Sequence, residues 1–406
     1  MPATMTRDGL LLFLARFVRL FSYGALSVVL VFYLTGLGFR ESQTGALLSL
    51  TLFGDTAVSL WLTTRADRIG RRRMLMAGAF LMAGAGLTFA ATSNYLFLVI
   101  AGTIGVISPS GNEVGPFLPI EQAALSQIVP APRRTQVFAW YTLTGALATA
   151  AGSLSAGLLV QGLRRSAMTA AASDRAVIVM YGAAGILLAI LFSRVSPAAE
   201  AHQPESQALR LGMGASRSVV LRLSGLFALD AFGGGFVVQS FAAYWFYLRF
   251  GVQPATLGGI FFGANLFAGF SALVATRLAA RFGLVRTMVF THLPSNILLI
   301  LVPLMPNLAL ATAVLLLRFS ISQMDVPTRQ SYTMAIVRPE ERSAAAGVTG
   351  VARTTGAAIA PMLAGILFDH PALIDLPFVI AGTLKIVYDL LLYRAFVSLP
   401  PPEEAR

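Results

Sequence analysis

The chain has 406 residues, 56% hydrophobic and 12% charged, with a formal net charge of +12. Soluble domains are about a quarter charged, and water cannot hide this much apolar surface. A soluble enzyme is excluded, and lipid is the expected solvent. Cysteine is absent and the three histidines, His202, His292 and His370, lie far apart. Disulfides, thiolate chemistry and a metal centre are therefore not expected, and no cofactor is implied.

Each crossing of a bilayer needs roughly 20 apolar residues, which predicts about twelve spans in this length. The first apolar run, 10–35, lacks a small-residue cleavage site and reads as a span rather than a removed leader. It carries Arg16 and Arg19, three apart and so on one helix face. The second, 45–64, carries Asp55 with no ionisable neighbour in its own span, roughly 15 Å from one end. The third is 74–93. The fourth, 96–127, is too long for one regular helix. It contains SPSGNEVGPFLP (108–119), whose prolines and glycines predict a break, and the acids Glu113 and Glu121. The fifth, 135–161, holds Gly145, Gly152 and Gly157, small residues that let helices approach. The sixth is 177–193.

Residues 194–221 are polar and read as a linker. The remaining spans are 222–248 with Asp230, 256–276, 286–305, 308–331 with Arg318, Asp325 and Arg329, 343–367 with Arg353, and 374–397 with Lys385 and Asp389. Aromatic residues crowd the end of the seventh span. Tyr244–Tyr247 there read as a belt at the membrane surface. Domains are expected at 1–193 and 222–406, joined by the 194–221 linker.

Arginine placement gives a topology. With both termini inside, inside segments carry 19 arginines and outside segments 5. The positive-inside rule then puts both termini in the cytoplasm of a cytoplasmic (inner) membrane. It also accounts for most of the net charge, so no nucleic-acid partner is needed. The halves repeat: FYLTGLGFRESQTG (32–45) resembles FYLRFGVQPATLG (246–258), ADRIGRRRM (66–74) lines up with AARFGLVRT (279–287), and IVPAPRRT (128–135) with IVRPEERS (336–343). The expected fold is all-α and membrane-integral, with twelve helices in two pseudo-symmetric six-helix bundles. Such repeats suit transporters.

Between the second and third spans stands TTRADRIGRR (63–72). It resembles the loop signature of the major facilitator superfamily, G-x-x-x-D-(R/K)-x-G-R-(R/K). Asp67, Arg68, Gly70, Arg71 and Arg72 match, Thr63 replaces the leading glycine, and Ala280 replaces the aspartate in the second half. The resemblance implies alternating access, with Asp67 latching a cytoplasmic gate; a carboxylate suits a helix N-terminus. The plain alternative is that the arginines only set topology. MDVPTRQSYT (324–333) and SPSGNEVGPFLPIEQAAL (108–125) resemble stretches in a bacterial, efflux-type subgroup of this superfamily, mostly of unassigned substrate, some of whose relatives are resistance pumps. Span five lacks the Gly-Pro pair of drug–proton antiporters.

Charges inside a membrane are costly and mark function. Six basic and six acidic residues lie within the spans, a balance that favours paired networks. Asp55, Glu113, Asp230 and Asp325 are the proton-carrying candidates, because desolvation makes a carboxylate able to take a proton. Arg16, Arg19, Arg318, Arg329 and Arg353 are candidates for substrate binding or for the charge network. The structural alternative is permanent salt bridges. Lys385 and Asp389, four apart, are expected to satisfy each other. Positions related by the repeat but opposite in sign, Arg16 with Asp230 and Glu121 with Arg329, suit pairing between halves. No nucleotide-binding loop is present, so energy would come from a gradient. These readings point to proton-coupled efflux of a small organic or toxic solute by a monomer. Proton-driven uptake, or a non-transporting sensor or scaffold, are the alternatives.

Overall fold

The computed structural model describes residues 6–113, 115–130, 133–200, 216–338 and 341–399. Most of the expected linker, 201–215, and parts of the 128–135 and 336–343 repeat segments lie outside the described residues. Fifteen α-helices run through the rest, and no strand occurs among the described residues. They are α1 (Arg7–Gly36), α2 (Glu41–Ile69), α3 (Arg71–Ala91), α4 (Tyr95–Ile104), α5 (Phe117–Ile128), α6 (Arg134–Arg165) and α7 (Ala170–Ser193) in the first half. The second half has α8 (Arg217–Gly235), α9 (Gln239–Phe250), α10 (Pro254–Phe282), α11 (Leu284–Leu301), α12 (Leu308–Ser322), α13 (Asp325–Ala335), α14 (Arg342–Phe368) and α15 (Leu376–Phe396).

Eleven stretches among the described residues are helical, long and apolar enough to cross a bilayer. The fourth expected span is the one missing, because it is divided into α4 and α5 as its prolines and glycines predict. The seventh and tenth spans also break, at 236–238 and 323–324, which hydropathy did not show. Side chains cap several starts: Thr6, Asn94, Thr169 and Asn307 accept from the first-turn amides of α1, α4, α7 and α12.

The repeat is written into the backbone. Gly70 and Gly283, at matched places in the two halves, both take positive φ, +114° and +84°, at the entry to α3 and α11. A side chain at either position would be strained.

Contacts group the described residues into two compact units, 6–200 with 239–262, and 216–238 with 263–399. In the first, α1 lies against α6 so closely that a Cβ on Gly24 would sit 2.1 Å from the Thr149 carbonyl oxygen. In the second, α8 and α14 pack the same way, with Gly356 facing the Ala228 carbonyl. A core of Leu223, Phe227, Met288, Tyr332, Tyr388 and Phe396 fills the second unit.

The surface-belt expectation for Tyr244–Tyr247 fails for most of that stretch. Tyr244, Trp245 and Phe246 are buried in the first unit and only Tyr247 is exposed. Trp245 packs on Phe250, Phe246 on Phe261, and Tyr244 donates to Glu41 at 2.6 Å. Aromatic rings served here as packing mass.

Backbone that leaves the helix inside an apolar layer needs other partners, and the break in the fourth span has them. The Val106 carbonyl accepts from the Tyr181 hydroxyl. The Pro109 carbonyl accepts from the Ser240 amide at 3.1 Å and hydroxyl at 2.6 Å. The Asn112 carbonyl accepts from Ser108 at 2.7 Å. Gln239 beside Ser240 donates to Ser27 at 2.7 Å, fixing the start of α9 to α1.

Candidate functional site

Each unit holds a buried cluster of charges. In the first, α1 presents Arg16 and Arg19 from one face, and Arg19 is wholly buried. Their partners come from the broken fourth span. The irregular segment delivers Glu113, and α5 delivers Glu121. Arg16 Nη1 donates to Glu113 Oε2 at 2.9 Å, and Arg19 Nε to Glu113 Oε1 at 2.8 Å. The two terminal nitrogens of Arg19 grip Glu121 at 2.7 and 2.6 Å. Tyr141 of α6 donates its hydroxyl to the same carboxylate. The guanidinium groups also lie over rings, Arg16 at 4.4 Å from Tyr141 and Arg19 at 4.6 Å from Phe117. Forked arginine–carboxylate pairs of this kind are strong, and pairing is what makes their burial tolerable; Arg16 Nε alone of these nitrogens is buried without a partner.

Asp55 stands apart from that network. It lies at the middle of the 29-residue α2 and is buried. Ser59 donates to it at 3.4 Å, and the Gly115 amide donates as well. No lysine, arginine or histidine among the described residues forms an ion pair with it.

The second unit draws its cluster from four helices, α8, α11, α13 and α15. Asp230 of α8 accepts from Lys385 Nζ at 2.6 Å and Arg329 Nη1 at 3.2 Å, with His292 Nε2 at 3.8 Å. Arg329 also donates to Asp325, one turn earlier in α13, at 2.9 Å. The expected Lys385–Asp389 pair does not form. Lys385 turns to Asp230, while Asp389 contacts His292 Nδ1 at 2.8 Å and accepts from Asn296 at 2.9 Å. Four-residue spacing permits a pair along one helix, but neighbouring helices supplied better partners. The pairing suggested between repeat-related positions is also corrected. Arg16 and Arg19 are satisfied by Glu113 and Glu121 within the first unit, and Asp230 by Arg329 within the second.

Arg318 of α12 and Arg353 of α14 differ from the rest. Neither pairs with a carboxylate among the described residues, and the Nε atom of each is buried without a hydrogen-bond partner. Arg318 lies 4.9 Å over its neighbour Phe319.

At the α2–α3 turn, Asp67 pairs with Arg71 Nε at 2.7 Å and is 58% exposed. Arg71 is buried and also donates to the carbonyls of Ala123 and Ala199, whereas Arg68 and Arg72 are exposed. A carboxylate does sit on a helix N-terminus here, but it is Glu200, accepting from the amides of Arg71 at 2.6 Å and Arg72 at 3.1 Å. Asp8 holds the Ser196 amide at 3.0 Å, so residues 195–200 are strapped onto the first unit. Nothing local in the sequence signals Glu200, which acts on residues 128 and 129 positions away. His292 and Asn296 were overlooked too. Their four-residue spacing within an apolar span marks a polar helix face and was the available signal.

A family model described as Major Facilitator Superfamily matches residues 12–361 and 232–406. An uncharacterized membrane protein of Saccharomyces cerevisiae is 31% identical over 429 residues, covering 97% of this chain and 95% of that protein. The fold resembles a bacterial homologue of the human lysosomal transporter Spinster in an inward-facing, occupied conformation. That match has a TM-score of 0.75 at 16% identity, over 96% of this chain and 97% of the other. A bacterial homologue of the iron transporter ferroportin, inward-facing, matches with TM-score 0.75 at 12% identity, over 96% and 99%.

Proposed function

The chain belongs to the major facilitator superfamily and is a multi-pass membrane transporter, not an enzyme; from that premise we propose that it exports a small organic or toxic solute in exchange for protons, by alternating access. Asp55 carries the reading. Glu113, Glu121, Asp230, Asp325 and Asp389 are each held by an arginine, lysine or histidine side chain. Only Asp55, among these six, is held by a hydroxyl and an amide instead. It can gain and lose a proton without breaking an ion pair. Glu113, Asp230 and Asp325, whose sequence positions suit proton carriage equally well, then serve as fixed members of the networks.

The resemblance of 108–125 and 324–333 to a bacterial subgroup with exporting relatives favours export over uptake. The arginine excess favours both termini on the cytoplasmic side of the cytoplasmic membrane. The turn carrying Asp67, Arg68, Gly70, Arg71 and Arg72 then forms the cytoplasmic gate, with the protein working as a monomer.

The test is a growth panel in a host stripped of its own efflux pumps, followed by flux in proteoliposomes. Wild type and Asp55→Asn are compared at matched membrane expression across antibiotics, dyes, metalloids and organic acids. Protection by wild type alone, with solute flux that follows an imposed pH gradient, is the expected result. Sensitisation by wild type would overturn export in favour of proton-driven uptake. Gradient-driven flux that survives Asp55→Asn would remove Asp55 from coupling. Absence of any flux from the purified chain would leave a sensor or scaffold.

A further inference from the structure

We infer that the transported solute carries an anionic oxygen group, a carboxylate or a phosphate, held by Arg318 and Arg353 of the second unit. The inference deepens the transport reading above and rests on it. The carboxylates of the second unit are already taken: Asp325 by Arg329, Asp230 by Arg329 and Lys385, and Asp389 by His292 and Asn296. Four basic side chains, Arg318, Arg329, Arg353 and Lys385, stand against three carboxylates there. The first unit is the reverse, with Arg16 and Arg19 against Asp55, Glu113 and Glu121. The balance of charge within the spans therefore conceals a cationic surplus in one unit.

That surplus sits on two guanidinium groups bordering one cluster. Both Arg318 and Arg353 interact electrostatically with Asp230 and Asp325, and Arg353 is repelled by Arg329. Each has its Nε buried without a hydrogen-bond partner, yet each side chain is only partly buried. A guanidinium with its Nε withdrawn from water and no carboxylate beside it is costly. The arrangement becomes favourable when an oxyanion arrives, because the planar fork of arginine matches carboxylate and phosphate geometry. Arg16, whose Nε is likewise buried without a partner, still has Nη1 on Glu113, and all three nitrogens of Arg19 meet Glu113 or Glu121; Arg318 and Arg353 have no such carboxylate among the described residues.

The experiment is thermal unfolding of the purified full chain in detergent, titrated with benzoate, succinate, phenyl phosphate and the neutral benzamide. At least one anion is expected to raise the unfolding midpoint saturably while benzamide does not. The carboxylate and phosphate arms separate the two sources of the same chemistry. Arg318→Gln and Arg353→Gln should each weaken that anion by about tenfold or more. Arg353→Lys, which keeps the charge and loses the fork, should weaken it less, and it covers the case in which a glutamine variant fails to fold. Failure of every anion, equal binding of benzamide, or wild-type affinity in the variants would overturn the inference. No proton gradient exists in detergent, so this result and the coupling result fail independently.

Discussion

Arg16 in the first span and Asp230 in the seventh occupy matched places in the repeat, as do Glu121 in the fourth and Arg329 in the tenth. In one unit the first span of the six brings cations and the fourth brings acids; in the other the first brings an acid and the fourth brings the arginines, together with Asp325. The fifth helix differs as well. Gly145 of α6 makes room for the Arg16 guanidinium, and the matching position in α14 is Arg353, which forms no ion pair with a carboxylate among the described residues. A single scaffold has thus been used twice with inverted charge. The first copy closes on itself, and the second keeps two cations in reserve.

The largest test of this contrast is Arg19→Leu. It strips Glu121 of both its arginine contacts and leaves buried acids uncompensated, at an expected cost of about 3–5 kcal/mol. The readout is the unfolding midpoint, or loss of monodisperse protein. Arg19→Met with Glu121→Met should recover more than half, because no buried carboxylate then lacks a cation: Glu113 keeps Arg16, and only the Tyr141 hydroxyl loses its acceptor. Lys385→Met should cost less, about 1–3 kcal/mol, since Asp230 keeps Arg329 and His292. Gly145→Ala presses a methyl to within 2.7 Å of Arg16 Nε, which Glu113 holds in place. About 1–2 kcal/mol of destabilisation is expected in thermal unfolding. Gly347→Ala, with nothing near its Cβ, serves as the neutral control. The smallest effect belongs to Arg353→Gln. Removing a partly buried, unpaired charge should leave stability unchanged or raise it by about 1 kcal/mol. A loss comparable to that of Arg19→Leu would erase the distinction between the units.

Much of this architecture was legible beforehand. Every long span announced itself by hydropathy, since lipid demands an unbroken apolar run. The break in the fourth span was legible from Pro109, Gly111, Gly115 and Pro116. The breaks at 236–238 and 323–324 were not, because they arise from packing: Gly235 is held against the Ala357 carbonyl, and the Gln323 amide finds the Ser271 hydroxyl. Which residues would carry charge inside the spans was plain from the sequence, but their partners were not. Lys385 and Asp389 illustrate the reason. Spacing along a helix is local information, whereas the choice of partner depends on how α8, α11 and α15 face one another. Glu200 lay in a stretch that reads only as polar, and its role appears once the chain folds back onto α3.

The divided fourth span has a consequence for how the protein is made. The ten residues of α4 are too few to cross a bilayer alone, and among the described residues the Pro109 carbonyl is satisfied by Ser240, 131 residues further along. At about 5–20 residues per second, the ribosome delivers that partner roughly 7–26 seconds later. Through that interval the 105–116 segment has an exposed carbonyl and no lipid-compatible conformation. It has to wait beside water, the insertion machinery or a chaperone until the seventh span arrives. The order of synthesis thus sets when the first unit can be completed, and substitutions at Ser240 would surface first as poor membrane yield.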